Sequence, residues 1–161
     1  MLQKTAFKIS FLAICLVPTL TFGLNEKSPE ENKISEPTVV HQIYEQSKKN
    51  DNWKSAFLTG KDAQVVFMSI SPATNPKNEI GMETHQFDQV IFIAEGNAKT
   101  DLNGKTSTVK TGDLIFIPQG TPHNVINLNK DKPLKIISVY SRTDIPAHSQ
   151  LKKSTDSAEK E

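Results

Sequence analysis

From Trp53 to Ser141, apolar and polar positions alternate with a period of two, in short runs divided by turn residues. β-Branched and aromatic side chains dominate the runs, so each reads as a strand with one face in a core. The pattern predicts strands over residues 53–59, 63–70, 80–86, 89–95, 97–102, 105–109, 113–118, 122–128 and 133–141. Thr59-Gly60, Pro72 to Asn78, Asn103-Gly104, Thr111-Gly112 and Asn129 to Pro133 punctuate them. Asn103-Gly104, set between two short runs, predicts a two-residue hairpin. Many short strands with no helix between them predict an all-β, antiparallel sandwich or barrel rather than a parallel sheet.

Upstream of the strands the period lengthens. Ser35 to Lys49 predicts one short N-terminal helix, with Ser35 as its cap and Pro37 in its first turn. Val39, Val40, Ile43 and Tyr44 form the apolar stripe, and Gln42, Glu45, Lys48 and Lys49 lie opposite. His41 falls within this helix and is expected at the surface.

The ends of the chain have a different character. Lys4 and Lys8 give a basic start, Ile9 to Phe22 is an apolar run, and Thr21-Phe22-Gly23 offers small residues at a cleavage position. Together these predict a signal peptide over residues 1–23. The expected location is therefore secreted or periplasmic, with an uncleaved N-terminal anchor as the alternative. The apolar run is too short and too weakly flanked to be read as a stable membrane span. Residues 24–35 read as a flexible linker and residues 149–161 as a disordered tail. That leaves one folded domain over 36–148, with its core in 53–146.

Charge and cysteine usage narrow the chemistry. The full chain carries a formal charge of +1. Loss of residues 1–23 removes two lysines and no acid, which moves the charge to −1. Lys and Arg are scattered, so a nucleic-acid partner is not expected. Cys15 is the only cysteine and lies inside the expected signal. The remaining 138 residues of the 161 then hold no disulfide and no thiolate ligand, and any metal must be held by nitrogen and oxygen donors. G-x-S-x-G, G-x-G-x-x-G and phosphate-loop motifs are absent from the sequence.

Two stretches carry the candidate chemistry. Glu83, His85, Phe87 and Gln89 share one parity, so an extended chain turns all four side chains to the same face. A carboxylate on an inward face costs several kcal/mol unless a cation relieves it. Downstream, Gly112, Pro118, Gly120, His123 and Asn127 follow the spacing G-x5-P-x-G-x2-H-x3-N. Gly112 and the Pro118-Gln119-Gly120-Thr121 bend bracket a strand and reverse the chain just before His123. His123, Val125 and Asn127 share a face, and Asn127 is expected to fix the hairpin rather than touch a ligand.

These residues resemble the cupins, small double-stranded β-helix barrels of the jelly-roll class. The family's second motif is matched in full by the five downstream residues. Its first motif, ordered Gly, His-x-His, Glu, Gly, is matched in part: His85 holds the second His position and Gly96 the trailing Gly. Glu83 stands at the first His position. Gln89 stands at the Glu position, with three residues between it and His85 and six between it and Gly96, and Lys77 stands at the leading Gly. The resemblance implies one divalent metal ion (Fe, Mn, Ni, Zn or Cu) held by Glu83, His85, Gln89 and His123. Two histidines and one carboxylate also resemble the facial triad of non-haem iron sites. It further implies a small-molecule ligand or substrate, with oxygenase- or isomerase-type chemistry for an enzyme, and pairing of two copies as a homodimer. A non-catalytic module that captures a sugar or an organic acid is the alternative.

Overall fold

The structure, a computed structural model, describes residues 33–153. The expected signal peptide and most of the expected linker lie outside the described residues. Strands and two sheets dominate, as the period-two pattern predicts. The strands are β1 (Lys54–Thr59), β2 (Gln64–Ile70), β3 (Gln89–Glu95), β4 (Asn97–Leu102), β5 (Lys105–Lys110), β6 (Leu114–Ile117), β7 (His123–Asn127), β8 (Leu134–Tyr140) and β9 (Gln150–Leu151). A six-stranded sheet runs β6-β3-β8-β2-β1-β9 and a three-stranded sheet runs β5-β4-β7. Every pairing is antiparallel. The chain runs through β1–β3 in the large sheet, crosses to the small one for β4 and β5, returns for β6, crosses again for β7 and ends in the large sheet with β8 and β9, a two-sheet jelly-roll arrangement.

The inward faces of the sheets close on one apolar core. Val66, Met68, Ile91, Ile93 and Ile136 from the large sheet meet Ala98 and Val125 from the small one, all fully buried. β5 reads Lys-Thr-Ser-Thr-Val-Lys and is exposed along most of its length. A polar, lysine-flanked strand at a sheet edge discourages pairing with another chain. The Asn103-Gly104 hairpin forms as expected: both residues have positive φ (52° and 80°), and Leu102 pairs with Lys105 across the turn. Gly96 is needed for two reasons. Its φ is +109°, and a Cβ there would sit 2.3 Å from Asn129 Nδ2.

Three expectations need correction. Residues 80–86 do not form a ladder strand; this stretch and Glu79 before it meet β7 at the isolated bridges Glu79–Ile126 and Glu83–His123, with Ile80 N–H bonded to the Val125 carbonyl between them. Gly81 sits between them with φ +97° and sends its N–H to the Asn124 side chain, which interrupts the regular pairing. The N-terminal helix α1 is shorter than expected and spans only Ile43–Lys48. Neither Ser35 nor Pro37 belongs to it. Gln42, in the left-handed region at φ 54°, starts it without a side-chain cap. Val39 stays 79% exposed, because only Ile43 of the expected stripe packs on the outer-face cluster of Phe67, Ala94 and Ile137. Finally, the fold continues past residue 148: Gln150–Leu151 adds an edge strand to Lys54 and Ser55 of β1. Residues 154–161 of the expected tail lie outside the described residues.

Candidate metal centre

Three of the groups expected from the two motifs, Glu83, His85 and His123, come together. Glu83 and His123 exchange both backbone hydrogen bonds, each 2.9 Å. That pairing sets their side chains opposite one another on the same face. The Pro118–Thr121 bend closes on itself through Thr121 N–H to Pro118 C=O. It grips the upstream segment through Gly120 N–H to His85 C=O at 2.8 Å. Gly120 has φ +76°, so this reversal favours glycine. One turn therefore aligns His85 and His123, whose ring centroids are 5.2 Å apart. One potential ligand atom from each of Glu83, His85 and His123 lies within 4.8 Å of the others.

Neighbouring groups fix the donors. His123 Nδ1 lies 2.8 Å from the Thr121 carbonyl, which can only accept a hydrogen bond. Nδ1 therefore carries the proton and Nε2 presents its lone pair inward, as in metal-bound histidines braced by a carbonyl. Burial holds the His123 pKa below the ordinary histidine range, with the Thr121 carbonyl opposing. His85 stacks on Phe87 at 4.6 Å and tilts against Tyr140 at 5.7 Å. Gln89 starts β3, is 1% exposed and donates from Nε2 to Ser138 Oγ at 2.8 Å. That bond orients the amide and leaves Oε1 without a partner. Asn127 is fully buried but turns to the other end of β7, where it binds backbone as expected. His41 and His148 are exposed and take no part.

The pattern of unpaired groups tests whether a cation suits this place. His85 Nε2, His123 Nε2, Gln89 Oε1 and the Tyr140 hydroxyl are all buried without a hydrogen-bond partner. Buried polar atoms rarely go unpaired, and each costs about 1–3 kcal/mol when they do. Two imidazole nitrogens beside a carboxylate form a donor set that suits a borderline divalent ion. The residues fit the group the family resemblance implies.

Sequence reasoning missed Lys54. It is 6% exposed on β1, and its Nζ lies 2.9 Å from Glu83 Oε1. Glu83 Oε2 lies 3.3 Å from His85 Nε2. Burial pushes the Glu83 carboxyl up, but His85 and Lys54 outweigh it and hold the group down at about 2. Parity alone carried a signal, since Lys54 and Ala56 both sit on the buried face of β1. Trp53, Ser55 and Phe57, however, make the opposite face look like the apolar one.

The lowered Glu83 pKa has a measurable consequence. A carboxyl depressed from 4.5 to about 2 on folding stabilises the metal-free protein above pH 4.5. That contribution fades as pH falls from 4.5 towards 2, and linkage caps it at about 3 kcal/mol. Urea unfolding across this window is expected to show the loss in the unchanged chain and a flatter profile in Glu83→Gln. Parallel profiles in the two proteins would remove the ion pair from the account of acid stability.

Comparison with known proteins agrees with the architecture. A family model described as "Cupin domain" matches residues 73–140. The uncharacterised protein YrkC of Bacillus subtilis (strain 168) is 35% identical over 118 residues, covering 68% of this chain and 60% of that protein. The uncharacterised protein L612 of Acanthamoeba polyphaga mimivirus is 36% identical over 110 residues, covering 66% of this chain and 67% of that protein. The chain thus spans about three-fifths of the length of the first relative and two-thirds of the second. Among solved structures, BH2720 from Bacillus halodurans superposes with a TM-score of 0.67 at 30% identity, over 73% of this chain and 90% of that one.

Proposed function

This chain is a small cupin-domain protein, and on that premise we propose that it binds one divalent metal ion in the barrel and, through it, a small molecule. Glu83, His85 and His123 are the proposed primary ligands, with Gln89 Oε1 as a weaker neutral fourth. The observation that carries this is the convergence of Glu83, His85 and His123, with one potential ligand atom of each within 4.8 Å of the others and both histidine Nε2 atoms buried without a hydrogen-bond partner. A bound ion supplies Lewis acidity towards an oxygen-bearing ligand. The chain's own part is to orient the imidazoles, through the Thr121 carbonyl and the Phe87 stack, and to wall the site with Phe87 and Tyr140.

Elemental analysis of protein recovered from its native compartment, and again after reloading with Fe, Mn, Ni, Zn and Cu, tests this reading. About one equivalent of a single ion supports it. Near-zero occupancy after every reloading rejects it. Oxygen uptake and product formation across a small-molecule panel then separate a reacting site from one that only captures its ligand.

Export completes the proposal. The basic start, apolar run and small-residue cut in residues 1–23 support passage out of the cytoplasm. Cell fractionation followed by N-terminal sequencing should find a mature chain that begins close to Leu24. Recovery of intact protein from the cytoplasm alone would end that part of the proposal.

A further inference from the structure

The cluster holds one carboxylate, and that carboxylate is already spoken for. Lys54 is buried, and its ammonium group lies 2.9 Å from Glu83 Oε1. Glu83 is the only acid among the grouped donors of the described residues. The charges of Glu83 and Lys54 therefore cancel before any ion arrives. A cavity of about 350 Å³ opens onto Glu83 and is lined also by Trp53, Met82, Glu79 and Lys153. Glu79 and Lys153 offset each other. Glu79 accepts a hydrogen bond from Asn124, and Lys153 donates to the Glu79 and Ile80 carbonyls.

A divalent ion on His85, His123 and Glu83 would leave about two positive charges uncompensated in a largely buried place, beside an ammonium. Like charges a few ångströms apart with little water between them repel strongly, and an unbalanced buried charge is costly. A small anion on the open side of the ion offsets this, whereas a neutral ligand of the same shape does not. The cavity reaches the donor cluster through Glu83, and its volume admits a small anion together with water.

We propose that the centre takes its metal together with a small carboxylate, and that Lys54 is the residue that makes the site need one. This inference rests on the metal-binding reading above, and it names the ligand class as anionic. Lys54 acts through Glu83 and through charge. It shares the carboxylate with the ion, one oxygen each, and lowers the site's affinity for an ion that arrives alone.

The test compares acetate with acetamide, which match in shape and differ in charge. The affinity of the metal-free protein for Co(II) is measured by calorimetry with each additive in excess. Acetate is expected to tighten Co(II) binding about tenfold or more, within the usual range for coupled ligands, and acetamide by less than about twofold. In Lys54→Met the ion alone is expected to bind about tenfold more tightly, with the acetate effect largely gone. Equal effects of acetate and acetamide on the unchanged protein would overturn the proposal, whether or not the variant folds. So would a variant that keeps the full acetate effect. Co(II) binding without anion coupling refutes this inference alone, and failure to bind Co(II) under any condition refutes the metal reading with it.

Discussion

Metal-free protein carrying His85→Ala and His123→Ala together is expected to gain no thermal stability from any divalent ion. The unchanged chain is expected to gain about 2.7 kcal/mol at a free ion concentration one hundred times its dissociation constant. For a domain of this size that is a rise in Tm of roughly 10 °C. The effect runs through Nε2 of each ring. Both atoms are buried without a hydrogen-bond partner, His85 Nε2 lies 3.3 Å from the Glu83 carboxylate, and the Thr121 carbonyl fixes the His123 tautomer so that a lone pair faces Glu83 and His85. Glu83 alone cannot replace them, because Lys54 already engages one of its oxygens. Each variant serves as its own metal-free baseline, since truncating a buried ring also opens a cavity. Equal shifts in the double variant and the unchanged chain would mean that the ion binds elsewhere, on surface carboxylates.

Asn127→Ala is expected to cost about 3 kcal/mol or more, among the largest effects of any single substitution in this chain. Asn127 is fully buried, and its Nδ2 lies within 3.2 Å of the Ile70, Ser71 and Lys132 carbonyls. Its Oδ1 accepts from both the backbone and the side chain of Asn129. One side chain thus ties the end of β2 to the turn between β7 and β8. Alanine would leave backbone carbonyls unpaired where water does not reach. Asn127→Asp should be worse still, because it sets a carboxylate against those carbonyls. Urea unfolding with an unchanged m value measures both. A loss under about 1 kcal/mol for the alanine variant would show that the knot carries little. Metal affinity should be unaffected, because Asn127 lies four positions along the strand from His123, roughly 13 Å.

Local chemistry made much of the fold legible. Alternation over Gln64–Ile70 and Gln89–Glu95 needs only neighbouring residues to declare a strand and its two faces. Asn103 and Gly104 declare their turn because few other residues tolerate positive φ at both positions. The same parity put Glu83, His85 and Gln89 on one face, and the Pro118–Gly120 bend explains how His123 comes to meet them. Other features were hidden for specific reasons. The stretch over 80–86 reads as a strand by composition, but Gly81 adopts a conformation that breaks the ladder. The helix start at Gln42 has no capping side chain, so Ser35 and Pro37 offered a false one. Gln150–Leu151 is polar and two residues long, and it forms a strand only because the edge of β1 is there to receive it.

What the sequence determined alone is most of the strands, their inward faces and the chemistry available on them: two imidazoles, one acid, one amide and no thiol. What tertiary structure decided is which of these groups share a space and with what charge. Lys54 of the large sheet reaches Glu83, which bridges to β7 of the small sheet, across 29 residues of sequence, a meeting that no local pattern encodes. Alternation fixes the side of a strand on which a residue lies. Only the closing of two sheets on each other fixes its neighbours, and in a buried site the neighbours set the electrostatics.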